Sequence, residues 1–473
     1  MSNTTFVNLC EKWAQYAPNK IAITTATESI TWLDLAKRID GLVSTLRYQN
    51  VHVGKVVCLA GRSELSLVLR YLACLQYGAV PALVANQPLE QLTAKFDTLY
   101  PPTESACVWG GIDSSSNADE YSLHSIDRGE AEQSSSQGSV KDLPAGTPIA
   151  SIVFTSGSTG QPKAVVHSAD HHVASAEGLL EKFQYSSSDT WLLSLPMFHV
   201  SGLAILWRWL VTGGGLRIAS GDFASDIAKV THASLVSTQL KRIVDNGWDT
   251  RLKRVLLGGS HISHELIKQA QLQGIEAWMG YGMTETASTV TAKRVDSHPS
   301  SGYLLPRRVI KVESERIYVA GDTLAAGYYV QGAIRQLELM DGWFDTKDLG
   351  RWNEQGELVV VGRADNLFIS GGENVHCEEV EAALNQLSDI SQSIVVPVED
   401  TEFGTRCIAV VQSDSLPTVV AMNDILRPHL PKFKHPIGYV QMPEHLLSSG
   451  IKVSRKAVKT WLRSAQSDFI VIS

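Results

Sequence analysis

Paired cysteines are the first thing this sequence does without. Six cysteines (Cys10, Cys58, Cys74, Cys107, Cys377 and Cys407) are scattered over 473 residues, and no two stand as CxxC. That argues against a disulfide framework or a cysteine zinc site and leaves buried free thiols as the expectation. Basic excess is missing too. Lys and Arg total 41 against 49 Asp and Glu, for a net charge of -8, so the footprint of a nucleic-acid binder is absent. No apolar run is long enough to span a bilayer, because "LSLVLRYLACLQYGAVPALVA" is broken by Arg70, Gly78 and Pro81. The opening "MSNTTFVNLCEKWAQYAP" has neither a basic n-region nor an apolar h-region. A cytoplasmic protein without a secretory signal or integral membrane association is therefore expected. Homo-oligomerisation stays open. No internal repeat of roughly 20–50 residues is visible.

What is present reads as a multidomain α/β protein. Length alone exceeds what one core comfortably fills. Short β-branched runs ("VVCLA", "VPALVA", "WLLSLP", "ASLVST", "RVLLGG", "IEAWMG") alternate with helical patterns such as Leu65, Val68, Leu69, Leu72 and Leu75. Repeated strand–helix–strand units predict parallel sheets covered by helices. The serine- and acid-rich stretch 111–146 reads as an exposed, partly mobile connection. A boundary is expected at Asp365, inside "GELVVVGRADNLFISGGENV". It divides a large N-terminal domain of helix-covered sheets, 1–364, from a small mobile α+β C-terminal domain, 365–473.

Several motifs carry chemistry. "SIVFTSGSTGQPKAVVHS" (151–168) places Thr155, Ser156, Gly157, Ser158, Thr159 and Gly160 behind a predicted strand, with Lys163 after them. Glycines let backbone N–H groups approach an anion, hydroxyls add donors, and lysine adds a point charge. A Walker A loop has lysine directly after its last glycine. Here Gln161 and Pro162 intervene, so a P-loop NTPase is not the reading. "GYGMTETAS" (280–288) sets Tyr281 and Gly282 beside Thr284 and Glu285: an aromatic face for a base, a hydroxyl for a phosphate, a carboxylate for magnesium. Asp348 in "GWFDTKDLG" can accept from both ribose hydroxyls. Arg363, Lys452 and His199, in "PMFHVSG", complete the candidate list. Taken singly, most of these are equally well read as turn or surface residues.

Their order changes that reading. The chain resembles the adenylate-forming superfamily of acyl- and aryl-CoA synthetases, luciferases and peptide-synthetase adenylation domains. The phosphate loop, "YGMTE", "GWFDTKDLG", "GRADN" and the late lysine occur in family order over nearly the whole chain. "LPMFHVSGLAILWRWL", "THASLVSTQLKRI", "VLLGGSHI" and "GIKVSRKAVKTW" resemble the o-succinylbenzoate–CoA ligase branch of menaquinone biosynthesis. Cys377 departs from the family, which often has proline before the acidic pair.

The resemblance implies ATP, magnesium and coenzyme A, with acyl-adenylate formation followed by thioester formation. It implies that the 155–160 loop and Lys163 clamp phosphates, and that Glu285 holds magnesium next to Thr284. Tyr281, Gly282 and the turn Gly258, Gly259 and Ser260 would frame adenine, while Asp348 and Arg363 would hold ribose. Lys452 would reach the attacking carboxylate. Asp365 would be the hinge, and Gly371 and Gly372 would meet the pantetheine of CoA. For the second carboxylate of the acid, Arg242 is the expected partner, with Ser201 and Gln239 as neutral donors and Arg208 as a rival. Another acyl- or aryl-CoA synthetase, or an adenylation domain loading a carrier protein, is the alternative. A non-catalytic nucleotide-binding module is disfavoured by the presence of both Lys452 and Glu285.

Overall fold

The computed structural model describes residues 9–111, 123–126, 148–156, 162–258, 264–387, 389–413, 416, 418–447 and 453–464. Two large sheets build the N-terminal part. One has eight strands, ordered Ala333–Arg335, Gly327–Val330, Pro162–Ser168, Ile149–Ser156, Val80–Val84, Val56–Ala60, Ala106–Trp109 and Leu123–Ser125. The other has nine, with Glu276–Met283, Arg254–Leu257, His232–Leu235, Thr190–Leu193, Gly215–Ile218 and Ile21–Thr24 side by side in parallel. Val56–Ala60 and Val80–Val84 are buried at every position. Continuous apolar runs of this kind suit parallel strands covered on both faces. The expected parallel sheets are thus present, but each ends in antiparallel strands.

Helices Trp32–Tyr48, Leu65–Tyr77, Ala169–Phe183 and Val200–Thr212 fill the space between the sheets. Val57, Leu59 and Val153 of the first sheet share one apolar cluster with Trp191, Leu193 and Leu216 of the second. Val200–Thr212 is buried from Gly202 to Leu210 without a break. A helix covered all round belongs inside a layer rather than on a surface, and this one carries Arg208 into the interior.

The serine-rich stretch falls mostly outside the described residues. Its Leu123–Ser125 does not match an exposed connection: it adds an edge strand parallel to Ala106–Trp109, and Ile126 behind it is buried.

A third, antiparallel sheet contains Arg308–Glu313, Arg316–Gly321, Trp343–Trp352 and Leu358–Arg363. A single 3-10 turn, Ala364–Asn366, then leads to the hairpin Leu367–Ser370 and Glu373–His376. Beyond it, helices Cys377–Leu384, Val419–Leu426 and Arg455–Ser464 accompany a three-stranded sheet. The two apolar clusters of this region draw on described residues from Phe368 onward and on none before it. Among the described residues no helix is long and apolar enough to cross a membrane.

Candidate active site

The stretch read as a phosphate loop links two antiparallel strands. Ile149–Ser156 and Pro162–Ser168 pair with Thr155 directly opposite Lys163. Opposed residues project from the same face, so hydroxyl and ammonium flank the loop together. The geometry differs from the strand–loop–helix of a Walker A site, as the lysine spacing predicts. Gly157, Ser158, Thr159 and Gly160 lie outside the described residues, as do Gly259, Ser260 and Lys452. Of Ser156 only the strand position is described.

A cavity of about 1460 Å³ opens beside this hairpin. Thr155 and Lys163 line it, and so do Tyr281, Gly282, Thr284 and Glu285 from the end of the nine-stranded sheet. Asp348 and Arg363 from the third sheet line it too, as do Glu378, Glu379 and Glu381 of helix Cys377–Leu384. Residues far apart in sequence thus share one surface.

Tyr281 donates its hydroxyl to Asp348 Oδ2 at 2.5 Å. Asp348 and Arg363 are cross-strand partners, with Arg363 Nη1 3.4 Å from Asp348 Oδ1. Arg363 also grips Asp365 in a two-pronged pair, Nε–Oδ1 3.0 Å and Nη2–Oδ2 3.1 Å. Burial pushes the Asp348 carboxyl above the usual carboxylate range, while the Tyr281 hydroxyl and Arg363 pull the other way. The Asp365 carboxyl is held low, chiefly by its hydrogen bond from Arg363. Sequence reasoning placed Tyr281 as a base-stacking ring; its bond to Asp348 was not readable from spacing.

Tyr328 is a residue that the motifs did not reveal. Its strand, Gly327–Val330, pairs with Pro162–Ser168. Its hydroxyl donates to Glu285 Oε1 at 3.1 Å, and Lys163 Nζ lies 5.0 Å from its ring centre. One tyrosine therefore ties the lysine of the phosphate hairpin to the carboxylate of "YGMTE". Among the described residues no three His, Cys, Asp or Glu side chains are grouped to hold a metal ion. A lone carboxylate fits magnesium all the same, provided that phosphate oxygens and water supply the other ligands.

The residues expected to bind the acid are arranged differently. His199 is the residue before helix Val200–Thr212, its ring 4.7 Å from that of Phe198. Ser201 is half-buried on the first turn of that helix. Gln239 accepts the Val236 N–H at 3.1 Å and so caps its own helix, Ser237–Asn246. Arg242 is exposed, 5.5 Å over the Trp248 ring. None of these four lines the cavity. Gly258 is exposed, next to the cavity-lining Leu257.

Arg208 is the opposite case, at 1% exposure. Its Nη2 reaches Thr289 Oγ1 at 3.4 Å, and its guanidinium lies 5.2 Å from the Trp191 ring centre. Nε has no hydrogen-bond partner among the described residues. Thr289 pairs with Gly282 on the cavity wall. A Cβ on Gly282 would come within 1.8 Å of Ser288 O, so glycine permits the close approach that brings Thr289 and Arg208 behind the wall. Burial, with the like charge of Arg308 added, pulls Arg208 down to about 9. It therefore stays cationic at neutral pH, and no described carboxylate pairs with it.

Gly371 and Gly372 form the two-residue turn of the hairpin after Ala364–Asn366, with φ of 58° and 91°. A two-residue hairpin loop with both φ positive favours glycine, so these glycines have a structural reason to be present.

Comparison with known proteins gives the same picture. A family described as AMP-binding enzyme matches residues 102–329. A 2-succinylbenzoate–CoA ligase of Salmonella typhimurium is 38% identical over 456 residues, covering 95% of this chain and 96% of that protein. The Escherichia coli protein of the same name is 37% identical, covering 96% and 98%. In three dimensions, a single-residue variant of E. coli MenE with bound OSB-AMS matches at a TM-score of 0.84 and 35% identity, covering 98% of this chain and 99% of that one.

Proposed function

The chain belongs to the 2-succinylbenzoate–CoA ligases among the AMP-binding enzymes, and on that premise we propose that its cavity joins o-succinylbenzoate to coenzyme A in two half-reactions. In the first, the succinyl carboxylate attacks the α-phosphorus of ATP. An oxygen–phosphorus bond forms and pyrophosphate leaves. In the second, the thiol of CoA attacks the acyl-adenylate carbonyl, gives up its proton, and AMP leaves. The product, o-succinylbenzoyl-CoA, serves menaquinone biosynthesis, and a cytoplasmic setting is part of this reading.

One observation carries it: Thr155, Lys163, Glu285, Asp348 and Arg363 come from separate segments yet line a single cavity. Charge builds on phosphate oxygens in the first transition state, so fixed donors and cations there lower its energy. Lys163, Thr155 and the loop after it take the phosphates. Asp348, oriented by Tyr281 and Arg363, takes the ribose hydroxyls. Magnesium bound with ATP supplies charge neutralisation on the phosphates, and Glu285 with Thr284 would hold it. Lys452 accompanies the attacking carboxylate. His199 sits at the start of the helix that carries the acid-binding residues.

The second carboxylate of the diacid is assigned to Arg208 in place of Arg242. A buried cation with an unpartnered Nε behind the cavity wall needs an anion; an exposed arginine over a tryptophan does not. Residues 1–364 and 365–473 act as two bodies in this reading, turning about Asp365 between half-reactions. Their separate apolar clusters and the short turn Ala364–Asn366 support it.

Pyrophosphate exchange with a panel of acids, followed by CoA-dependent thioester formation, tests the assignment. o-Succinylbenzoate should support exchange well above benzoate or palmitate. Preference for a plain fatty acid would overturn it.

A further inference from the structure

The turn that carries Glu285 is strained. After the 3-10 turn Thr284–Thr286, Ala287 has φ of 51° and Ser288 has φ of 104°. Two consecutive non-glycine residues in this region persist only when their surroundings over-determine them. Inside the turn, Thr286 Oγ1 accepts the Met283 N–H at 3.2 Å and lies 3.1 Å from both the Met283 and Ser288 carbonyls.

Three other elements hold the turn from outside. His167 Nε2 is 2.7 Å from the Thr284 carbonyl. The Ala325 N–H donates to the Glu285 carbonyl at 2.8 Å. Ser175 Oγ donates to the Ala287 carbonyl at 2.6 Å and accepts from Arg308 Nη2 at 3.2 Å. His167 and Lys163 share one strand and, four residues apart, one face of it. A single strand thus presents an ammonium to the cavity and an imidazole to the turn beside it.

The chemistry of His167 points to purpose rather than packing. A carbonyl only accepts, so Nε2 carries the hydrogen and Nδ1 is bare. Nδ1 is buried with no hydrogen-bond partner among the described residues. Burial, with His171 nearby, pushes the ring down to about 3 and keeps it neutral. An apolar side chain would fill this space without the unpartnered nitrogen. What the imidazole adds is one directed bond to the backbone of Thr284.

We propose that His167, seconded by Ser175, is a positioning residue for adenylation: it clamps the strained 284–288 turn so that Thr284 and Glu285 face the phosphates. The inference rests on the reading of Glu285 as the magnesium carboxylate. Partners one shell behind a metal ligand commonly change affinity or activity by ~10–100-fold when removed.

The experiment compares His167→Leu, His167→Gln, Ser175→Ala and Glu285→Gln. For His167→Leu, pyrophosphate exchange should fall by at least ~10-fold in kcat. Calorimetric affinity for magnesium-ATP should weaken. The Ala287 amide, which donates to the Thr284 carbonyl at 3.2 Å, should exchange with solvent faster. Thioester formation from supplied acyl-adenylate should be unchanged, since that step uses no triphosphate. Glutamine, whose amide N–H can reach the same carbonyl, should restore most of the loss. If His167→Leu fails to fold, Ser175→Ala tests the other end of the clamp by the same readouts. Equal loss in both half-reactions, or unchanged metal-ATP affinity and unchanged Ala287 exchange, would overturn the clamp. If Glu285→Gln weakens magnesium-ATP while the His167 variants do not, the clamp alone fails. If Glu285→Gln has no effect, the metal reading fails and takes the clamp with it.

Discussion

Replacing Arg208 with methionine gives the sharpest test of how the acid is recognised. The side chain is enclosed by Trp191, Thr289 and the body of its own helix, with no described carboxylate in reach. Its drop from 12.5 to about 9 on burial, at roughly 1.4 kcal/mol per unit, corresponds to a cost on the order of 5 kcal/mol in the enzyme without substrate. A carboxylate brought in by the substrate offsets that cost. Methionine removes both the cost and the partner. The substrate-free variant should therefore be no less stable than the parent in scanning calorimetry, since uncompensated buried charge is itself destabilising. Its KM for o-succinylbenzoate should rise steeply. Leaving one member of a buried charge pair alone costs ~2–5 kcal/mol, which at ~1.4 kcal/mol per decade is a rise of about 30-fold or more. The assay is pyrophosphate exchange at saturating magnesium-ATP across acid concentrations. 4-Oxo-4-phenylbutanoate, which lacks the ring carboxylate, is the control: it should be a poor substrate of the parent and no poorer with the variant. Arg242→Ala should leave the KM for both acids alone. The reasoning is refuted if Arg208→Met leaves the KM for the diacid unchanged, or raises it equally for the two acids.

Three further outcomes are expected. Lys452→Ala should abolish adenylate formation yet spare thioester formation from supplied acyl-adenylate, because its charge is needed only in the first transition state; parallel loss of both steps would count against that role. Asp365→Pro should exchange pyrophosphate but make little thioester, since proline fixes φ and biases the residue before it. Asp365→Asn, which keeps backbone freedom, should turn over nearly normally, and full turnover by the proline variant would argue against a hinge there. Stability should fall on mild acidification. His167 and His232 are pushed from 6.5 to about 3 and about 4, chiefly by burial, so between those values and 6.5 the unfolded chain binds more protons. Their contribution is complete above pH 6.5 and is lost as pH falls, about 2 kcal/mol for each by about pH 5. Thermal melts from neutral pH downward should show it, and His232→Asn should flatten the upper part of that slope; a flat parent profile would contradict the assignment.

Much of this protein is written locally. Continuous β-branched runs such as 56–60 and 80–84 specify buried parallel strands, because no other short structure buries such a run on both faces. The order of the motifs specified the family, and the lysine spacing after Gly160 ruled out a Walker A loop before any coordinates. The strand and helix patterns after Asp365 pointed to a small α+β domain there. What local pattern could not carry was proximity between distant segments and the burial of individual charges. Arg208 stands in the apolar run "LAILWRWL" and Arg242 in the polar run "STQLKRIVDN", but neither pattern says what the guanidinium meets. Only packing decides that one is enclosed between two sheets and the other lies in solvent over Trp248. Tyr328 gives no signal in "GYYV", since its bonds to Glu285 and its contact with Lys163 exist only because two strands become neighbours. His167 reads as one polar residue in a strand until the turn of a different sheet brings the Thr284 carbonyl against it. Short-range periodicity encodes which faces are buried; which groups meet across those faces is decided when the layers close.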